Sequence, residues 1–469
     1  MSVDVSPASY RDAAGFVYRR SGTLYRQVNE SFRDDFDLFI ASGLYDELTA
    51  DGLVVEHEEA DLSKAASRTA YRVLKPRTVP YISYPYEWSV GQLRDAALLT
   101  LELQTRALRR GLTLRDASAF NVQFMRGRPV FIDTLSFGRY EEGKPWAAYR
   151  QFCEHFLGPL ALMVRRDPRM SLLHRGFADG IPLELVSSLL GARAFRSLGL
   201  WLHLRAHANA QRRFGDAGSE ASRRTLSRAA LDRLVTHLRE TVESLRWSPG
   251  GTAWADYEEE HGYSAADVRA KQELVKALVE QVEPRSVLDL GANAGQYSAI
   301  AAAAGASVVA LDLDVAAVER HYLRVRESRA DVLPLVMDLR NPSPALGWAH
   351  RERMSLAERG PSDLVLALAL VHHLVLAGNV PLRHVASYLA VLGTHAIVEF
   401  VPYDDPQAQR LVATRGSPEH AYTRQAFEQA FGESFAISSA SPVGSSGRTI
   451  YSMTRRDDGE PVIAARAAT

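Results

Sequence analysis

The chain has 469 residues, with 46% hydrophobic and 24% charged side chains, more than one hydrophobic core serves, so two or three domains are expected. The 55 basic and 56 acidic residues leave a formal net charge of −1, and nothing global draws the chain to nucleic acid or anionic lipid. Cys153 is the only cysteine, which excludes an internal disulfide, an all-cysteine zinc site and a cluster held by three cysteines.

The N-terminus, MSVDVSPASYRDAAG, has no basic segment followed by an apolar one, and no apolar run reaches bilayer length, so a cytoplasmic protein without a membrane partner is expected. GFVYRRSGTLYRQV predicts two strands around a turn at Ser21-Gly22. Phe36, Phe39, Ile40, Leu44 and Leu48 recur at helical spacing and predict one helix ending at Gly52. AYRVLKP predicts a strand stopped by Pro76, and the pattern from Ser89 to Arg110 is helical. Next comes LRDASAFNVQF, with Asp116 and Asn121 in a D-x-x-x-x-N spacing, and then Asp133 at the end of a strand-like run, VFIDTL. A long helical region is expected from about Pro145 to Leu245, with RFGDAGSEAS as a loop. It is rich in arginine, including Arg196, Arg205, Arg212, Arg213, Arg223, Arg224, Arg228, Arg233 and Arg239. A solvated helical face explains these, with a phosphate-tracking groove as the rival.

The order of Asp116, Asn121 and Asp133 resembles the metal-binding segment of protein-kinase-like and aminoglycoside-phosphotransferase-like folds, over about residues 15–162. Much of that pattern is absent. The residues before Asp116 are Leu114-Arg115, and Asp133 is followed by Thr134-Leu135. No G-x-G-x-x-G loop is present, and Arg26 is the nearest strand cation. Phosphoryl transfer needs cations and metals to neutralise phosphate charge. The resemblance therefore implies a degenerate domain in which Asp116, Asn121 and Asp133 form a substrate site or a vestigial nucleotide site.

WSPGGTAW marks a boundary. Three regions follow: an α+β domain over 1–165, a helical Arg-rich connection over 166–250, and an α/β domain over 251–469. In the last, SVLDL, SVVALDL, LPLVMD, DLVLALAL and HAIVEFV alternate with helical segments, which predicts a mostly parallel sheet with helices on both faces. VLDLGANAGQY places Asp289 before a turn with Gly291 and Gly295, where Ala292 and Asn293 break a dinucleotide fingerprint. Asp312 ends the next strand and Asp338 the third. All lie on the sheet edge where doubly wound folds bind ligands. His372 and His373 leave the fourth strand, where either can act as base; a hydrogen-bonded histidine at a helix start is the rival reading. Glu399 ends the fifth strand, facing an acceptor or holding a sheet-edge hydrogen bond. No third ligand accompanies the histidines, so no metal is expected.

This set resembles the class I S-adenosylmethionine-dependent methyltransferases over about residues 271–454. The resemblance implies a Rossmann-like doubly wound seven-stranded sheet and S-adenosylmethionine as cofactor, with S-adenosylhomocysteine as product. It also implies a cofactor site. The glycine turn with Gly291 and Gly295 faces the amino-acid part, Asp312 the ribose, and Asp338 with Leu339 the adenine, and Asp289, Asn293 and Leu313 are further cofactor-binding residues. Tyr257, Tyr263 and Lys271, just before the domain, match a segment that folds over the cofactor as a lid. His372, His373 and Glu399 are the catalytic candidates. EFVPYDDPQAQRL and YTRQAFEQAF further resemble a bacterial group related to the nodulation protein NoeA. The expected activity is methyl transfer to an O or N atom of a small-molecule acceptor. Nucleic acid is not expected as partner, since the Asn/Asp-Pro-Pro-aromatic turn of amine-directed nucleic-acid methylases is missing. The alternatives are an RNA- or tRNA-directed methyltransferase or adaptor using the Arg-rich region, and an ATP-dependent phosphotransferase using Asp116, Asn121 and Asp133.

Overall fold

The computed structural model describes residues 3–206, 226–249, 264–412 and 422–456. The chain packs as two units. One comprises residues 1–248 with 345–353, the other residues 249–344 with 354–469.

In the first unit, Ser21 and Gly22 adopt φ of 50° and 79°, the left-handed pair that matches the twist of a two-residue hairpin. They join β2 (Gly15–Arg20) to β3 (Thr23–Asn29). With β1 (Val3–Val5), β4 (His57–Ala60) and β5 (Ala70–Pro76) these form an antiparallel sheet of order β1-β2-β3-β5-β4. The single helix expected up to Gly52 is two, α1 (Arg33–Ala41) and α2 (Leu44–Ala50). Gly43, at φ 72°, sits between them; a residue without Cβ takes that conformation at little cost, and it ends the first helix. Phe36, Phe39, Leu44 and Leu48 stay buried across the break, while Ile40 is exposed.

Helix α3 (Val90–Arg109) starts at a reciprocal cap, Gln92 N donating to Ser89 Oγ and Ser89 N to Gln92 Oε1. Beyond it are two ribbons. β6 (Leu112–Leu114) pairs with β9 (Phe137–Arg139), and β7 (Val122–Met125) with β8 (Arg128–Phe131). Asp116 and Asn121 therefore lie in the β6–β7 connection and Asp133 in the β8–β9 connection.

The long helical region is broken into short pieces. Among the described residues it holds α4 (Gly158–Arg165), α5 (Leu183–Leu190) and α6 (Arg228–Ser244), with π-helical turns at Cys153–Leu157 and Trp201–Ala206. Pro168 and Pro182 can only start helical segments, and Gly191 at φ 69° ends one. RFGDAGSEAS and Arg212, Arg213, Arg223 and Arg224 lie outside the described residues. Arg239 is committed to an ion pair with Glu102 of α3 at 2.7 Å. Cys153 is fully buried, and burial pushes its thiol far above the usual range, so it presents no thiolate.

The second unit is a seven-stranded sheet of order β12-β11-β10-β13-β14-β16-β15. β10 (Ser286–Leu290), β11 (Ser307–Asp312), β12 (Val332–Val336), β13 (Ser362–Ala367) and β14 (Gly393–Phe400) are parallel. β16 (Thr449–Arg455) runs antiparallel to both β14 and β15 (Phe435–Pro442). This is the strand order of the class I methyltransferase sheet. Its helices are α7 (Ala265–Val282), α8 (Gln296–Ala303), α9 (Val315–Ser328), α10 (Leu382–Leu392), α11 (Pro406–Val412) and α12 (Arg424–Ser434). Helices cover both faces, so the strands read as continuous apolar runs. Val275 and Val279 of α7 pack with Val287, Val308, Leu364 and Ile397 of four adjacent strands. β10 neighbours both β11 and β13; strand order reverses there, which opens a crevice beyond the strand C-termini.

Candidate active site

A cavity of about 900 Å³ occupies that crevice. The turn after β10 forms one wall, with Gly291, Asn293 and Gly295 at φ of 74°, 47° and 86°. Gly291 N and Ala292 N both donate to Leu311 O, at 2.8 and 3.0 Å, tying the turn to β11. At Gly295 a Cβ would lie 2.0 Å from the His321 ring, so only glycine fits that approach; at Gly291 the nearest atom, Leu370 Cδ1, is 3.3 Å away.

Asp289 sits beneath the turn, almost fully buried, and accepts a hydrogen bond from Ser298 Oγ at 2.6 Å. Burial raises its pKa to about 6, with Asp312 adding repulsion. Asp312 accepts Asn293 N at 2.7 Å and Asp314 N at 2.8 Å; burial raises it too to about 6, against those backbone donors. One carboxylate thus shapes the turn and faces the cavity. Leu313 beside it is half exposed at the cavity wall. Asp338 and Leu339 line the same side, Asp338 paired with Arg340 Nε at 3.1 Å and Nη2 at 3.2 Å.

The two histidines separate. His373 lines the cavity at the start of a π-helical turn, His373–Ala377. Burial, then Arg448 and Arg340, lower its pKa to about 4. It is neutral at pH 7 and able to accept a proton. His372 does not line the cavity. It is buried with both ring nitrogens unpartnered among the described residues, its ring 4.2 Å from that of His373. Burial holds it well below the ordinary histidine range.

Glu399 likewise does not line the cavity. It is completely buried at the end of β14, where Lys271 Nζ donates to Oε2 at 2.7 Å. Lys271 reaches the cavity from α7 and sits 4.9 Å from the Tyr297 ring centroid. Tyr257 and Tyr263 lie outside the described residues. Sequence reasoning did not single out Tyr297, His321, Leu370 or Arg448, which all line the cavity. For Arg448 a signal existed, the turn GSSGR between two strands that end at this edge. Among the described residues no group of His, Cys, Asp or Glu could hold a metal ion, and no helix is long and apolar enough to cross a membrane.

In the first unit, Asp116 accepts Ser118 N at 2.8 Å and Gln151 Nε2 at 2.7 Å, and burial raises its pKa. Asp133 forms an ion pair with Arg26 Nη2 and accepts Ser136 Oγ at 2.5 Å and Leu135 N at 3.1 Å. Asn121 N donates to Ser118 O at 3.1 Å.

No family model matches this chain. The nodulation protein NoeA of Rhizobium meliloti (strain 1021) is 33% identical over 458 residues, covering 96% of each chain. The chain belongs to the NoeA family. Two similar solved structures each align with less than half of this NoeA-family chain. Magnesium protoporphyrin IX methyltransferase from Synechocystis PCC 6803, with bound SAH, is 18% identical over 44% of this chain and 95% of its own, at a TM-score of 0.32. The bifunctional kinase-methyltransferase WbdD is 16% identical over 46% of this chain and 45% of its own, at 0.29.

Proposed function

We propose that the chain is an S-adenosylmethionine-dependent methyltransferase acting on an O or N atom of a small-molecule acceptor. One observation carries this reading: a single cavity is lined by the glycine turn, by Asp289 and Asp312, and by a neutral His373. The residues present fit the cofactor. The turn lets backbone approach closely at Gly291 and Gly295, Asp312 offers carboxylate oxygens to ribose hydroxyls, and Leu313 gives an apolar face beside Asp338. Lys271 supplies a cation suited to a carboxylate. The cofactor, when bound, supplies a methyl group already activated on a sulfonium. What remains for the chain is to align the acceptor, exclude water and receive a proton. His373 receives it at a ring nitrogen, with Leu370 and Leu374 lining the same cavity. Glu399 acts through Lys271, whose ammonium it fixes.

Calorimetry with S-adenosylhomocysteine tests this. The wild type should bind, and Asp312→Ala, which removes both the ribose acceptor and the bond to Asn293 N, should weaken binding by about tenfold or more. Lack of binding by the wild type sinks the reading.

For the first unit we propose a degenerate kinase-like domain that binds substrate or a partner. The Arg26–Asp133 ion pair favours it, because an arginine already neutralises the carboxylate that would hold a metal in phosphoryl transfer.

A further inference from the structure

The cavity is lined by both carboxylates and cations. Its acidic lining, Asp289, Asp312, Asp314 and Asp338, belongs to the ends of β10 and β11 and the segments after β11 and β12. Of the four cations that line it, Lys271, Arg324, Arg340 and Arg448, Lys271 is near enough to Asp289 to act on it and Arg448 near enough to His373, and the side chains of these two are only 4% exposed. The carboxylates that balance them, Glu399 and Asp405, do not line it. Glu399 pairs with Lys271 at 2.7 Å and lies 3.9 Å from Arg448 Nη1. Asp405 takes the other edge of the guanidinium, Nε at 2.8 Å and Nη2 at 3.3 Å. Leu370, His373, Leu374 and Leu411 also line the cavity, and Arg340, paired with Asp338 at 3.1 Å, acts on His373 as Arg448 does.

The guanidinium is also held in place. Its loop, between β15 and β16, is tied to α7 by Ser445 N, which donates to Asp267 Oδ1 at 2.8 Å. Gly444 packs so closely on Asp267 that a Cβ would lie 2.1 Å from Oδ1. A buried arginine whose orientation is fixed by carboxylates loses little freedom on binding a ligand. Arg448 also lies near enough to His373 to disfavour its protonation. An acceptor bound there meets a cation and a base side by side.

We propose that the acceptor carries an anionic oxygen group, a carboxylate or a phosphate, held by Arg448 next to the heteroatom that is methylated beside His373. The proposal rests on reading the glycine turn with Asp289 and Asp312 as the cofactor site. A cationic acceptor would face Arg448 and a sulfonium together, in a site where charges act at low dielectric. An anionic one is matched to both, and arginine is the side chain whose geometry suits carboxylate and phosphate.

The test uses the full chain saturated with S-adenosylhomocysteine and four probes: benzoate, phenyl phosphate, benzyl alcohol and benzylamine. Titration calorimetry should give at least one anionic probe about tenfold or more tighter than benzyl alcohol, with benzylamine weakest; benzoate against phenyl phosphate tells carboxylate from phosphate. Arg448→Gln should abolish the preference while S-adenosylhomocysteine binds within about twofold of wild type. The double variant Arg448→Gln/Asp405→Asn, which leaves no orphaned Asp405 charge, should behave alike. Absence of anion preference in the wild type, which needs no variant, overturns the proposal, as does a preference that survives Arg448→Gln. Failure of S-adenosylhomocysteine to bind overturns the cofactor reading and this one with it; intact binding without anion preference overturns this one alone.

Discussion

At the scale of single residues, Gly295 and His321 make the sharpest case. The imidazole lies against the glycine Cα, and Gly295 adopts φ 86°. Gly295→Ala therefore meets both a steric clash and backbone strain, whereas Gly291→Ala meets mainly strain. Gly295→Ala should weaken S-adenosylhomocysteine binding more than Gly291→Ala does. His321→Ala should recover part of the Gly295→Ala loss, which a double-mutant cycle by calorimetry reads as non-additivity. The acidic pair adds a pH dependence. Asp289 and Asp312 titrate near pH 6 in the fold and near 3.9 unfolded. Their folded pKa values are raised, so their stabilising contribution is full below about pH 4 and lost as pH rises through 6. Cofactor binding, which uses the carboxylates as acceptors, runs the opposite way and should strengthen from pH 5 to 7. A flat affinity over that range would contradict the roles given to these two aspartates.

His372 and His373 are adjacent in sequence and differ in everything the fold gives them. His373→Gln should lower turnover by about 10²–10⁴ with cofactor affinity retained. Because its pKa lies near 4, the wild-type turnover should show no acidic limb near pH 6.5 from this base. His372 has no partner for either nitrogen among the described residues. Replacing an orphaned buried polar group by an apolar one removes a penalty of about 1–3 kcal/mol, so His372→Leu should keep or raise the melting temperature. A marked drop in scanning calorimetry would mean that His372 has a partner, such as buried water.

At the scale of elements, what was legible in the sequence is what is local or periodic. The glycine turn, the strands that carry Asp289 and Asp312 near their ends, and the Ser21-Gly22 hairpin are each specified within a few residues. The α1–α2 break at Gly43 was missed because the apolar spacing continues through it. The sequence could not separate His372 from His373, since only the path of the chain after β13 decides which one lines the cavity. The Lys271–Glu399 pair joins α7 to the end of β14 across 128 positions, and no local pattern carries that. It is also testable. Both side chains are almost wholly buried, so Lys271→Met removes Glu399's 2.7 Å ion pair, leaving Arg448 at 3.9 Å, and should destabilise the second unit by about 3 kcal/mol. Lys271→Met/Glu399→Leu should recover much of this. If the double variant is no more stable than the single one by chemical denaturation, the pair is not what anchors α7 to the sheet.

At the scale of the whole molecule, the question is how many ligand chemistries one chain retains. Each unit has its own core, Val28, Phe32, Phe36 and Leu74 in the first and Val287, Val308, Leu364 and Ile397 in the second. Ligands for the two sites should therefore register separately. S-adenosylhomocysteine at a hundredfold excess over its dissociation constant should stabilise the second unit by about 2.7 kcal/mol. Mg-ATP should leave the melting profile unchanged, because Asp133 already holds Arg26, with only 12% and 14% of the two side chains exposed. A metal would have to displace that arginine and leave its charge buried. Arg26→Ala exposes the other consequence. Asp133 already adds to the raised pKa of Asp116, and without the guanidinium the two carboxylates repel with no cation between them. The variant should lose about 3 kcal/mol, and the loss should shrink as pH falls and the carboxylates protonate. A melting shift with Mg-ATP that Asp133→Ala abolishes would instead show that the ion pair opens, and that the first unit still binds a nucleotide.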